Sequence, residues 1–440
     1  MKKVFSMVLC FAMILSLLTA SAFAAGEPTV VMVCGISVDL SAESDVLGDG
    51  SVLYDPDINT LTIKQGGSGL TVFENPNGDS CYIYADGYLN VVFEDTMSLM
   101  ETCDYCIYTE GDLSIYIPYC LYLMGAETAG ISAGGNVEIN GEYSSISIVS
   151  GGNGIDASGS VTVRGSLTDL YIEAENVGIL ADGNITLDCG DYIEIAETKI
   201  GMVSTDGDIT IDVENGVVID CTDAGIIANG EITILNEEEG EDEEVVIIGE
   251  ESGAIAAKEF IGISAYFGFQ NPVGGCLTYF DIEDEEWCSV VNETGEIANS
   301  VTLVPVDNKV VTLKGLDFDV ELFVPNGSTV NDAYACLLVK EGYEDFGAYV
   351  KGAYEDLLGF YTTADGAEGT EFSFDDEITE DIEVFVLFPE SDNGAGGSNN
   401  GGESGSTPEP TNPNTGDSIL LWTALLGASA TGMIFGKKRK

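Results

Sequence analysis

The chain has no histidine, 76 acidic residues and 14 basic ones, so carboxylates dominate whatever chemistry it can do. Without histidine there is no Ser-His-Asp or Cys-His nucleophile and no two-histidine zinc helix. Cys103-Asp104-Tyr105-Cys106 forms a CxxC, yet no second CxxC and no histidine complete a tetrahedral zinc site. Paired carboxylates can hydrolyse glycosides, but with so many acids chance pairs are unavoidable and none is singled out. Oxygen ligands also suit Ca²⁺. Asp86 and Glu110, and then Asp182 and Asp206, recur before or at the turn glycines of neighbouring repeats. Stacked about 4.8 Å apart, two carboxylates repel by roughly 1 kcal/mol in water, and a bridging Ca²⁺ reverses that sign. Hydrated acids that diverge at the turn are the alternative.

Tyr84 and Tyr108 share one repeat position, with Tyr82 and Tyr88 beside them and Tyr116, Tyr119 and Tyr122 in the repeat of Tyr108. Exposed tyrosines present flat apolar faces with hydroxyl tips, which suit sugar rings. Tyr82, Tyr84 and Tyr108 are therefore candidates for stacking on a glycan; packing beneath the N-terminal segment is the competing reading.

The element that positions these residues is a repeat. Glycines 87, 111, 135, 159, 183, 207 and 230 recur every 24 residues, the last after 23. Four residues before most of them lie Ile83, Ile107, Ile131, Ile155, Ile179 and Ile226, with Met202 one residue further back. Two residues after them lie Leu89, Leu113, Val137, Val161, Ile185, Ile209 and Ile232, and a third row follows two further on. Each unit closes on an alternating pair: Leu121/Leu123, Ile146/Ile148, Leu170/Ile172, Ile193/Ile195, Val217/Ile219 and Val246/Ile248. Three period-two strands per unit, and no helix-length apolar pattern, predict an all-β, right-handed parallel β-solenoid with about 24 residues per coil. The repeats run from Cys81 to Ala257.

The register has consequences beyond the fold. Cys189 and Cys221 fall in the apolar core, which favours buried thiols over disulfides for the cysteines outside the leader. The insertion Glu237–Glu244 is a solvated spacer or a cation-binding loop. Leu180, Val203 and Ile227 fall on the outside, where the chain after Phe260 is expected to cover them. Parallel β-helices include pectin-acting enzymes, but those hydrolases carry a histidine motif that is missing here. A lyase needs a basic group near the sugar C5 proton; Arg164, Lys199, Lys258 and Lys64 are few and scattered. No catalytic residue is assigned, and the expectation is a binding protein rather than an enzyme.

Met1-Lys2-Lys3, the apolar run from Val4 to Leu18 and Ala22-Phe23-Ala24 form a secretory leader over residues 1–24. At the other end Asn412-Pro413-Asn414-Thr415-Gly416 precedes an apolar stretch from Ser418 to Phe435 and the tail Lys437-Lys438-Arg439-Lys440. This order over 412–440 resembles the cell-wall sorting signal of Gram-positive surface proteins. The resemblance implies that a sortase cleaves between Thr415 and Gly416 and joins Thr415 to peptidoglycan, leaving a secreted, cell-wall-anchored protein. Asn412 stands where such motifs usually carry leucine. Removing Lys2, Lys3, the four basic tail residues and Asp417 leaves 8 basic against 75 acidic residues, a net charge of −67. Such a surface excludes nucleic acid and anionic membranes as direct partners.

Residues 25–80 read as an N-terminal cap, with a hairpin from Asp45 to Ile63 turning at Asp55 to Asn59. With the repeats, this segment resembles the β-helical carbohydrate-binding-type surface proteins of Firmicutes, which implies Ca²⁺-assisted affinity for acidic polysaccharide. The solenoid and a C-terminal cap occupy 81–305. Over 309–389, Gly342-Tyr343, Gly359-Phe360-Tyr361, Asp365-Gly366, Phe372 and Asp381-Ile382 resemble the Listeria–Bacteroides repeat, a small β-grasp-like module, with Tyr349 to Leu358 as an insertion. Residues 390–411, rich in Gly, Asn, Ser and Pro, form a flexible stalk. The expected function is surface binding of an extracellular polysaccharide, with adhesion to a host-surface ligand as the alternative.

Overall fold

The computed structural model describes residues 26–388 except 65–69, 190–191, 214–215, 236–243, 265–266, 273–275, 283–284, 293, 295, 317–319, 334–344 and 355–356. The leader, the stalk, the sorting motif and nearly all of the acidic insertion lie outside the described residues. The chain divides into two units between Gly207 and Asp208.

The first unit is a parallel β-solenoid. Ile83, Ile107, Ile131, Ile155, Ile179 and Met202 pair in register from coil to coil, and all six are buried. Leu89, Leu113, Val137, Val161 and Ile185 form the second column. Leu99, Leu123, Ile148, Ile172 and Ile195 form the third. Each buried aliphatic side chain contributes about 1.5–3 kcal/mol relative to exposure. Alternation sends every second side chain inward, and coils of 23 to 25 residues bring like positions together.

Two further ladders hold the coils in register. Glycine directly precedes the inward isoleucine in three successive coils, at Gly130, Gly154 and Gly178. A Cβ on Gly154 would lie 2.4 Å from Ile172 Cγ2 and 2.5 Å from the Gly178 carbonyl oxygen. Bare backbone there lets the third strand's isoleucine press on the first strand. At the corner before the second strand, Asp112 Oδ1 accepts from the Asn136 N–H (2.6 Å), Asn136 Oδ1 from the Ser160 N–H (2.8 Å), and Ser160 Oγ from the Asn184 N–H (3.1 Å). Short polar side chains thereby satisfy backbone donors at a turn that strand pairing leaves open.

The edge of the first coil is covered by earlier chain. Val31–Val33 runs antiparallel to Ser80–Ala85. Val52–Asp55 and Thr60–Ile63 form the expected hairpin, and the latter strand lies parallel to Leu89–Phe93. A paired edge offers no unpaired ladder to another chain.

In the second unit Ile209, Ile232 and Ile261 stack in one column, as do Ile211, Ile234 and Ile263, so the ladder runs past Ala257. The inward pair after the acidic insertion is Val245/Ile247, opposite Val217 and Ile219, and not Val246/Ile248. The insertion resets the parity, and a one-residue slip exchanges the two faces. Ser300–Pro305 runs antiparallel to Glu244–Gly249, and Glu285–Val291 antiparallel to Gly253–Ala257, which reverses the chain direction and ends the parallel stacking.

A separate four-stranded sheet contains Asn308–Lys314, Val320–Pro325, Gly359–Tyr361 and Ile382–Leu387. Its first and last strands are parallel neighbours flanked by antiparallel ones, the order of a β-grasp. The helix Phe346–Ala353 packs Phe346, Tyr349 and Val350 against Phe360 and Phe374. The expected insertion at Tyr349 to Leu358 is therefore half helix. Phe346, Tyr349 and Val350 follow i, i+3, i+4 spacing, and the Asp345 carboxylate caps the helix by accepting from the Ala348 N–H at 2.7 Å.

Candidate functional site

Of the three candidate tyrosines, two lie inside. Tyr82 is 1% exposed, and its hydroxyl accepts from the Glu101 N–H. Tyr84 is 2% exposed; it pairs with Met32 of the covering strand and donates to Glu110 Oε1 at 2.8 Å. Burial first, then the hydrogen bond to Glu110, pushes the Tyr84 hydroxyl pKa up. Neither ring can face a sugar, because both are buried.

Tyr108 is half-buried and has an aromatic partner that the repeat pattern does not mark. Its ring stacks on Tyr105 at 4.9 Å between centroids with 19° between planes, and it tilts against Tyr84 at 5.8 Å. Tyr105 is also half-buried. Cys106, between them, occupies the kink that Gly130 and Gly154 occupy in the next two coils. That kink places Tyr105 and Tyr108 on one outer face. Around the pair lie Asn77, whose amide donates to Glu110 Oε1 at 2.8 Å, and Asp156, which accepts from Asn153 at 2.9 Å. Spacing could not reveal Tyr105, since three residues along an ideal strand face opposite sides.

The CxxC is structural. Cys103 and Cys106 are buried, and the Cys106 thiol donates to the Met124 carbonyl oxygen at 4.0 Å. Burial pushes the neighbouring Cys81 thiol up to about 12, so it stays protonated. Cys189 and Cys221 are buried, as the register requires.

Three of the four candidate carboxylates, Asp86, Glu110 and Asp182, accept hydrogen bonds from neighbouring donors. Asp86 accepts from the Thr29 N–H (2.7 Å), the Thr29 hydroxyl and the Val30 N–H (2.8 Å). Burial raises its pKa, but these donors outweigh burial and hold it below the usual carboxylate range. Glu110 is engaged by Tyr84 and Asn77. Asp182 accepts from the Thr205 hydroxyl at 2.9 Å, because Ala181 pairs with Ser204 and the shorter coil moves Asp206 out of register. Among the described residues no three His, Cys, Asp or Glu side chains converge on a position that could hold a metal ion.

Leu180, Val203 and Ile227 are each partly buried, neither fully covered nor fully exposed. Leu180 and Val203 are ladder partners and shield each other in part. Tyr119, Tyr143 and Tyr192 are 53%, 80% and 36% exposed. Tyr143 has φ +53°, an unfavourable conformation for a bulky residue at a corner.

No family model, curated protein or solved structure matches this chain.

Proposed function

We propose that this is a secreted, wall-anchored surface protein whose solenoid binds an extracellular glycan without cleaving it. The observation that carries the reading is the stacked, half-exposed pair Tyr105 and Tyr108, rimmed by Asn77, Glu110 and Asp156. Aromatic faces accept the apolar face of a sugar, while amides and carboxylates receive its hydroxyls. The acidic surface favours a neutral polymer over an acidic one, because uronates would be repelled unless a cation bridged them. Thr415 and the segments around it supply the anchoring part of the proposal.

Retention on immobilised neutral polysaccharides should drop at least tenfold in a Tyr105→Ala/Tyr108→Ala variant, with and without Ca²⁺. Retention unchanged by that variant defeats the site. Thr415→Ala should move the protein from the wall fraction to the membrane or the medium; unchanged wall retention defeats the anchor. The half-exposed strip of Leu180 and Val203 favours a second reading, adhesion to a protein surface, which predicts binding to host-surface proteins and none to glycans.

A further inference from the structure

Two of the third strands in the first unit carry a second aromatic surface, on a face that includes neither Tyr105 nor Tyr108. Tyr122 pairs with Ser147, and Ser147 with Tyr171, so two tyrosines occupy one outward column with a small residue between them. Both rings are half-exposed. The Tyr171 hydroxyl donates to Glu173 Oε2 at 3.0 Å, two residues along the same strand. That bond lays the Tyr171 ring along its own strand, and Tyr122 sits in the same outward column with its ring partly exposed. One column over, Ser145 donates to Asp169 at 3.1 Å, and Tyr192 follows one coil on.

Two coils separate the rings by about 9.6 Å, twice the interstrand spacing. That distance is the length of one disaccharide in an extended β-1,4-linked hexose chain, in which successive sugars are flipped and every second ring presents the same face. We infer that this face binds a neutral β-1,4-linked polysaccharide lying along the solenoid axis, with alternate sugars stacked on Tyr122 and Tyr171. The intervening sugar passes over Ser147, and Asp169 and Glu173 receive hydroxyls at the edge. The carboxylates select against uronates by charge. An α-linked or β-1,3-linked chain curves away and meets one ring at a time.

The inference rests on the glycan-binding reading but uses different residues, so the two can fail separately. The full secreted chain is titrated calorimetrically with hexamers of β-1,4-linked glucose and β-1,4-linked N-acetylglucosamine, with β-1,3-linked glucose hexamer as control. Tyr122→Ala and Tyr171→Ala should each weaken binding of a β-1,4 hexamer at least tenfold, and the β-1,3 hexamer should bind the wild type at least tenfold more weakly. Ser147→Tyr combined with Tyr171→Ser keeps two rings but moves them one coil apart; it should bind as weakly as Tyr171→Ala. Wild-type affinity in that relocated variant, or in Tyr122→Ala/Tyr171→Ala, overturns the inference. If binding is lost only with Tyr105→Ala/Tyr108→Ala, the earlier site stands and this one falls. If no β-1,4-linked hexamer binds the wild type, this inference falls, while the earlier site is judged by retention on the immobilised polysaccharides.

Discussion

The solenoid coils of the first unit and the sheet of residues 308–388 solve the same problem in different ways. In the coils, Ile155 packs between Ile131 and Ile179, each a coil away, and the same contact recurs at every level. In the small sheet, one cluster gathers Val311 and Leu313 from the first strand, Phe346 and Tyr349 from the helix, Phe360 from a later strand and Phe374 from the segment after it. The first core is a stack of similar layers, each stabilised by its neighbours, so damage should stay near the damaged layer. The second has a single centre, and losing one aromatic member should loosen all of it. The small sheet accordingly has few large side chains to spare, while the stack can vary its outer face from coil to coil.

The strongest break of this contrast is Ile155→Asp, which removes a fully buried side chain and places an unpaired carboxylate between two coils. It should cost on the order of 5 kcal/mol. Hydrogen exchange should show lost protection concentrated in the adjoining coils, and an unchanged melting temperature would contradict the register. Next comes Phe374→Ala, which removes the ring that contacts Phe346, Phe360 and Phe372. A loss of about 3–5 kcal/mol is expected, with amides of all four strands in 308–388 losing protection together. Loss confined to one strand would mean that the sheet has no common core.

Gly154→Ala probes the layer contact more finely. The added methyl meets Ile172 and backbone, and about 1–3 kcal/mol should be lost. At Gly151 the nearest atom to a new Cβ is 3.6 Å away, so Gly151→Ala should change stability by no more than about 0.5 kcal/mol. Equal effects in the two melting curves would remove the glycine ladder from the account. The smallest effect belongs to the covering strand. Because the folded-state pKa of Asp86 is depressed, its contribution is fully present above the unfolded value and fades as pH falls through the folded one. Protection of Val31–Val33 should therefore hold at neutral pH and decline below about pH 4. Asp86→Asn should cost about 1 kcal/mol at pH 7 and abolish that acid step; a step of the same size in the variant would assign it to another group.

The β-solenoid was legible because its cause is local and repeated. Inward positions must be apolar in every coil, and a period of 24 residues exposes that requirement in the order of residues alone. The buried placement of Cys189 and Cys221 followed from the same register. Once an insertion broke the period, pattern reading placed Val246 and Ile248 inside, where pairing with Val217 and Ile219 put Val245 and Ile247. Outward residues gave no such guidance. Tyr82 and Tyr84 look the same as Tyr108 in the sequence, and only contacts made across the fold, with the Glu101 backbone for Tyr82 and with strand Val31–Val33 for Tyr84, decide that two of them are buried. Tyr105 joins Tyr108 because a kink at Cys106 defeats alternation, and Tyr122 joins Tyr171 because coils of unequal length still bring them into one column. Periodicity determines what a repeat must bury; what it leaves facing outward is settled by non-local covering, kinks and offsets, which exist only once the chain is folded.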